Sequence, residues 1–234
     1  IKWSDGVLET LGVKIPIRNR EEMCDLNYED KVKQMESVVK AWDQRNLSLR
    51  GKVTVIKSLL ISKFLYLASV LCIPNDNWIK RIDTVRDKFL WNGKKEKLRR
   101  KVTKNSLEEG GLNVPDFKTM CKAAKVKWVH RYIHAKDSNW KKLVDSNTSC
   151  IGCTFAFQCN LKWNDKYIDK IRSPFWKEVV KCWCELNYGN RQNEIVWLNS
   201  EVATRNCEVI FSKECIDKGL LRASQCIKDG NAVL

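Results

Sequence analysis

The chain has 234 residues, 44% hydrophobic and 30% charged, a balance that excludes an intrinsically disordered polypeptide and leaves room for one large domain or two small ones. A net charge of +15 and a pI near 9.3 favour polyanionic partners, nucleic acid ahead of membrane. Only 4 prolines and 10 glycines interrupt it, which favours long helices.

The first residue is Ile1, so the chain reads as a piece of a longer polypeptide. The most apolar run, Leu59 to Ile73, is broken by Lys63 well short of the ~20 residues that cross a bilayer, and no membrane partner is expected. Eleven cysteines without a secretory signal point to free thiols in a reducing, intracellular compartment. The sequons Asn46-Leu47-Ser48 and Asn147-Thr148-Ser149 then read as accidental.

Taken in order, LETLGVKI (Leu8 to Ile15) predicts a short strand relaxed at Gly12 and closed by Pro16. From Asp30 to Arg45, Val32, Met35, Val38, Val39 and Trp42 fall at three-and-four spacing, which predicts an amphipathic helix. Ser48 is placed to cap a helix running from Leu49 to about Cys72, ended by Pro74. Asp76 can cap the next, with Trp78, Ile82, Val85 and Phe89 on one face. Gly110-Gly111 marks a turn or hinge, and Pro115-Asp116 opens a helix reaching about His134. From Asp137 to Asp165 the pattern weakens, consistent with a linker. Pro174 begins a further helix bearing Phe175, Val179, Trp183 and Leu186, and the last forty residues mix a strand-like Val209 to Phe211 with a break at Gly219.

Between Arg86 and Lys104 lie nine cations, Arg86, Lys88, Lys94, Lys95, Lys97, Arg99, Arg100, Lys101 and Lys104, against Asp87 and Glu96 alone. Cations at this density neutralise phosphates and release counterions, giving sequence-independent, salt-sensitive binding. Trp91 and Trp128 either stack on bases or anchor helices. Arg50, Lys52 and Lys57 add charge at and beyond a helix N-terminus, itself an anion site. Residue chemistry alone stops at a basic, helical nucleic-acid binder; the competing reading of the same stretch is a solvated loop.

Read as a series, LETLGVKI, the Trp42 helix, NLSLRGKVTVIKSLLISKFLY (Asn46 to Tyr66), Ile73-Pro74, KFLWNGK (Lys88 to Lys94) and GGLNVPDF (Gly110 to Phe117) resemble the region after the catalytic palm of LINE-type (non-LTR) retrotransposon reverse transcriptases. The resemblance covers about residues 8 to 135; VWLNSEVATRNCEVIFSKECIDKGL (Val196 to Leu220) extends it loosely. It implies a mainly α fold: a helical, thumb-like bundle with a short N-terminal β element and a smaller, less regular C-terminal α(+β) module. The implied layout is a primer-grip-like end of the palm at 1–16, a thumb at 17–136, a linker at 137–173 and a C-terminal module at 174–234.

The implied role is to bind and position an RNA/DNA template-primer duplex beside the upstream fingers and palm of the same polyprotein, within a retroelement ribonucleoprotein of cytoplasm and nucleus. Backbone contacts are expected from Arg50, Lys52, Lys57, Trp91, Lys94, Lys95, Lys97, Arg99, Arg100 and Lys101, with Leu11 and Gly12 at the primer end. The parent polymerase would need Mg2+ held by palm aspartates; no Asp-Asp pair occurs here, the nearest likeness being Tyr28-Glu29-Asp30. Neither a catalytic residue nor a cofactor is therefore expected in this piece, which should be inactive alone. Two alternatives stand beside this reading: a stand-alone helical nucleic-acid-binding or interaction protein derived from such an element, and a degraded copy without selected function.

Metal readings are weaker. Cys150, Cys153 and Cys159 include one C-x2-C half-site, but no second half-site follows. His130 and His134 share a helix face without the acid of H-E-x-x-H. Ordinary thiols and surface histidines are the simpler reading, with no metal expected.

Overall fold

The computed structural model describes residues 2–4, 6–19, 22–135, 138–151, 157, 168–187, 198–203, 209–211, 227–228 and 231–232. The chain is mainly α and divides into two compact units, Ile1–Ala124 and Lys125–Leu234.

The first unit opens with an antiparallel sheet of β1 (Lys2–Ser4), β2 (Val7–Thr10) and β3 (Val13–Pro16), in that order. Thr10 pairs with Val13, so β2 and β3 form a hairpin with a two-residue loop, Leu11-Gly12. Both loop residues are left-handed, at φ 50° and 74°, the geometry that matches strand twist. The predicted single strand is thus a hairpin.

Helix α1 (Met23–Asp43) begins seven residues before the predicted Asp30. The extra turns bury Asn27 and Tyr28 alongside Val32 and Met35. After it comes α2 (Leu49–Val55), capped as predicted by the Ser48 hydroxyl, which accepts from Gly51 N at 3.2 Å. The predicted continuous helix then changes winding. Ile56–Leu60 form a π turn and Ile61–Phe64 a 3-10 turn before α3 (Leu65–Val70) resumes. From Leu49 to Val70 the 22 residues are long and apolar enough, by composition, to cross a membrane. The predicted limit at Lys63 fails because the chain stays helical across it. Here these residues supply the centre of the first core: Val53, Ile56, Leu60, Phe64 and Leu67 are all buried.

Helix α4 (Asp76–Leu90) is capped by Asn75, whose side chain accepts from Trp78 N at 3.1 Å, one residue before the predicted Asp76. A short α5 (Arg100–Lys104) and α6 (Phe117–His134) follow. Tyr28, Phe64 and Phe117 close the core as an aromatic trio. Phe64 stacks on Tyr28 at 6.0 Å and meets Phe117 edge-on at 5.4 Å, pairings worth about 0.5–1.5 kcal/mol each beyond area burial.

The second unit contains the later part of α6, α7 (Asn139–Thr148), a 3-10 turn at Ser149–Ile151 and α8 (Pro174–Asn187). Its core joins Val129, Tyr132, Val144, Phe157, Val179 and Val180, and Trp128 meets Trp140, Phe175 and Trp176 edge-on. Beyond lie two antiparallel pairs, β4 (Leu198–Ala203) with β5 (Val209–Phe211), and β6 (Ile227–Lys228) with β7 (Asn231–Ala232). These supply the predicted α(+β) character of the C-terminal part. The predicted break at Gly219 lies outside the described residues.

Candidate nucleic-acid interface

The basic loop is launched by a reversal at the end of α4. Trp91 N donates to Asp87 O, and Gly93 N returns to Lys88 O at 2.8 Å. Asn92 and Gly93 are both left-handed, at φ 53° and 67°, which turns the chain sharply away from the helix axis. Trp91 is 8% exposed and anchors this reversal. Its ring is largely withdrawn from solvent and packs into the first core, which gives it an anchoring role.

Lys52 also serves the reversal. Its residue is 5% exposed, and its ammonium donates to Phe89 O at 2.8 Å and to Asn92 Oδ1. A cation against the last carbonyls of a helix complements the partial negative charge there. Burial lowers the Lys52 pKa, with Asp43 acting the other way. Lys52 is therefore removed from the set of expected phosphate contacts: its charge is used inside the fold.

Arg86 is likewise internal at 1% exposure. It donates to Asp87 Oδ1 at 2.8 Å and Pro115 O at 3.2 Å, and pairs with Asp83. Burial raises the Asp83 pKa against the pull of Arg86. The charge of Lys104 is matched by Asp116, which caps α6 by accepting from Thr119 N at 3.2 Å. Burial alone would raise the Asp116 carboxyl, but hydrogen bonds from Lys104 and Thr119 hold it below the usual carboxylate range.

The remaining cations face solvent. Lys94, Lys95, Lys97, Arg99, Arg100 and Lys101 are all exposed. Among the described residues ion pairs reach Arg100, through Glu96 at 2.7 Å and Asp87 at 3.2 Å, but none of the other five. The Glu96 hydrogen bond raises the Arg100 pKa. Lys88 and Lys94 meet Asp87, Trp91, Glu96 and Arg100 around one open cavity of about 260 Å³. Asp87 and Lys88, passed over as site residues in the sequence, lie one helical turn before Trp91, and that spacing is the signal that places them beside it.

Arg50 and Lys57 lie outside this cavity, exposed on α2 and the π turn after it. Along the same stretch the hydroxyls of Thr54 and Ser58 donate back to Arg50 O and Thr54 O. Leu11 and Gly12 form the hairpin tip, where Leu11 is 86% exposed. A leucine held at φ 50° is strained by about 1–2 kcal/mol.

Of the turn or hinge expected at Gly110-Gly111, the structure has the turn, pinned by backbone hydrogen bonds. Gly111 N donates to Ser106 O at 2.8 Å and Asn113 N to Asn105 O at 2.8 Å. A Cβ on Gly111 would lie 2.2 Å from Asn105 O, so the backbones touch too closely for any other residue.

Of the candidate metal residues, Cys153 and Cys159 lie outside the described residues. Cys150 is a free thiol, and the exposed His130 and His134 rings stand 4.3 Å apart. Among the described residues no three His, Cys, Asp or Glu side chains converge.

No protein-family model matches the chain. Over 116 residues it is 30% identical to a protein of Arabidopsis thaliana that carries a ribonuclease H name. The match covers 47% of this chain and 18% of that protein, so the chain spans less than a fifth of the length of this relative.

Proposed function

We propose that this chain is the part of a LINE-type reverse transcriptase that follows the catalytic palm, and that it holds a template-primer duplex by its phosphates. The observation that carries the reading is the run of exposed cations at Lys94, Lys95, Lys97, Arg99 and Lys101, which no carboxylate among the described residues neutralises. Arg86, Lys52 and Lys104 spend their charge internally, so what remains in this loop is oriented outward. Two further facts support the same reading. The motif series runs in order through the first unit, and similarity to a protein with a ribonuclease H name fits an origin in a retroelement.

Backbone phosphates and helix shape, not base edges, are what a sliding polymerase must hold. Exposed lysines and arginines on a loop fixed at both ends do that. One end is fixed by the Trp91 reversal, the other by the pinned Gly111 turn. Arg50 on α2 and Lys57 on the π turn after it add further exposed cations, and the Leu11-Gly12 tip is the primer-facing element. Nucleotidyl transfer belongs to the upstream palm in this reading, and no step here runs through a metal. The partners are the RNA/DNA duplex and the upstream fingers and palm, inside a retroelement ribonucleoprotein.

The test is binding of the purified chain to a fluorescently labelled RNA/DNA primer hybrid, with blunt duplexes of scrambled sequence beside it. Affinity that is equal across sequences and falls steeply with salt supports the reading. Absence of binding at low salt rejects it.

A further inference from the structure

We infer that the cavity beneath the Lys94–Arg100 loop seats one unpaired nucleotide of a bound strand, its base donating an amino hydrogen to Asp87 and its phosphate held by Lys88 and Lys94. The inference rests on the nucleic-acid reading above and goes further, because it predicts a preference among bases.

The cavity is open and measures about 260 Å³, just under the range of about 300–1,000 Å³ for drug-sized ligands. A single base fits that scale, whereas a duplex does not. Its electrostatics then select what enters. Its lining joins the C-terminal end of α4, which is partly negative, the buried Asp87 carboxylate and the partly exposed Glu96 carboxylate. Lys88 and Lys94 line the same cavity, are exposed and have no ion-pair partner among the described residues. A group that enters must therefore donate hydrogen bonds to the carboxylates while presenting negative charge to the lysines. A nucleotide with an amino-bearing base does both.

Asp87 supplies the acceptor. Its side chain is 9% exposed. Oδ1 receives Arg86 Nε at 2.8 Å, while Oδ2 is buried without a hydrogen-bond donor. The Arg100 guanidinium lies 3.2 Å from Oδ2 as an ion pair outside hydrogen-bond alignment. Arg100 is aligned instead with Glu96 Oε1, through Nε at 3.0 Å and Nη2 at 2.7 Å. A buried carboxylate oxygen left without a donor carries a desolvation cost that an incoming N–H would remove. The same Arg100 Nε bonds Glu96 Oε1, so an incoming donor reaches Oδ2 only as Arg100 and Glu96 move together. Trp91 offers the apolar wall against which a base lies.

Adenine, cytosine and guanine carry an exocyclic amino group; uracil offers only its ring N3–H, flanked by two carbonyl oxygens that the Asp87 and Glu96 carboxylates repel. With one acceptor oxygen, the expected discrimination is roughly tenfold.

The experiment uses the full chain and fluorescein-labelled RNA octamers at one fixed low salt: uracil throughout, or the same with one central cytosine, adenine or guanine. The expected result is binding of all four, with the amino-bearing octamers about tenfold tighter. Asp87→Ala should abolish the difference. Since Asp87 also holds buried Arg86, Thr84→Phe provides an independent variant: Thr84 is exposed on α4 and lines the same cavity. Filling the space there should remove the preference and leave binding of the uracil octamer unchanged. Equal affinity for all four octamers overturns the nucleotide seat while leaving phosphate binding intact. A preference that survives Thr84→Phe also overturns it; no binding of any octamer rejects the seat, and the reading beneath it falls as well where the RNA/DNA hybrid also fails to bind. Cytidine monophosphate added as competitor separates sources: displacement at concentrations near the octamer's own Kd would assign the cavity to free nucleotides and overturn the strand-bound seat.

Discussion

The side chain of Asn27 completes the backbone of Lys14 in both directions. Its Oδ1 accepts from Lys14 N at 2.9 Å, and its Nδ2 donates to Lys14 O at 2.7 Å and to Met23 O at 2.7 Å. In effect the amide is one further strand residue, fixing the β2–β3 hairpin to α1 and so fixing where the Leu11-Gly12 tip points. Lys14 Nζ adds an exposed pair with Asp30 at 2.6 Å. Asn27→Ala should cost about 1–3 kcal/mol, since partly buried groups of Lys14 lose their partners. Urea unfolding measures this, and hydrogen exchange should show the loss of protection beginning in the hairpin.

Leu11 sits where asparagine or glycine belongs. At φ 50° in a two-residue loop, Leu11→Asn should raise stability by about 1 kcal/mol by relieving the left-handed strain. If the tip faces the primer end, the same variant weakens hybrid binding while thermal unfolding improves. Opposite signs in the two assays are the expected outcome.

Lys52 separates charge used for folding from charge used for binding. Lys52→Met removes the donor to Phe89 O and should cost about 1–3 kcal/mol, with no change in the salt dependence of binding. The pH dependence follows from its lowered pKa. Between that value and the ordinary one near 10.5, the unfolded chain holds more protons than the folded one, so stability gains a component as pH rises through this window. Lys52→Met should lose that component, read as the difference between the two proteins' alkaline unfolding curves.

The two adjacent glycines should respond differently. Gly111→Ala drives a Cβ into Asn105 O and should cost about 1–3 kcal/mol or more. Gly110 has open space around it and a φ of 74°, which asparagine tolerates, so Gly110→Asn should cost much less. Thermal unfolding of the two variants decides this.

Much of the fold was legible because its signals are local. Ser48 capping α2, the apolar stripe of α4 and Asp116 opening α6 depend on residues within one turn. What was not legible depends on distant partners. Asn27 looks like a break in the α1 pattern, and only its pairing with Lys14 explains its burial. Lys52 and Arg86 look like members of a basic surface, and only Phe89, Asn92, Asp83 and Pro115 turn them inward. The change of winding at Ile56–Phe64 has no proline or glycine to announce it. At the candidate site, the exposed run from Lys94 to Lys101 could be read from charge density. The cavity could not, because Asp87 and Lys88 join it through the reversal at Asn92-Gly93.

The most direct measurement of the central claim is the slope of log affinity against log salt for an RNA/DNA hybrid. Two variants of equal net charge run beside the unaltered chain. One reverses Lys94, Lys95, Lys97 and Arg99 to glutamate; the other reverses Lys40, Lys80, Lys127 and Lys142, exposed lysines elsewhere. Every phosphate that the protein no longer neutralises should flatten the slope by about 0.9 on the B-DNA scale. The account predicts a slope flattened by about 3–4 in the loop variant and little change in the charge-matched one. Equal slopes in the two variants would contradict it, showing that net charge and not this loop holds the nucleic acid.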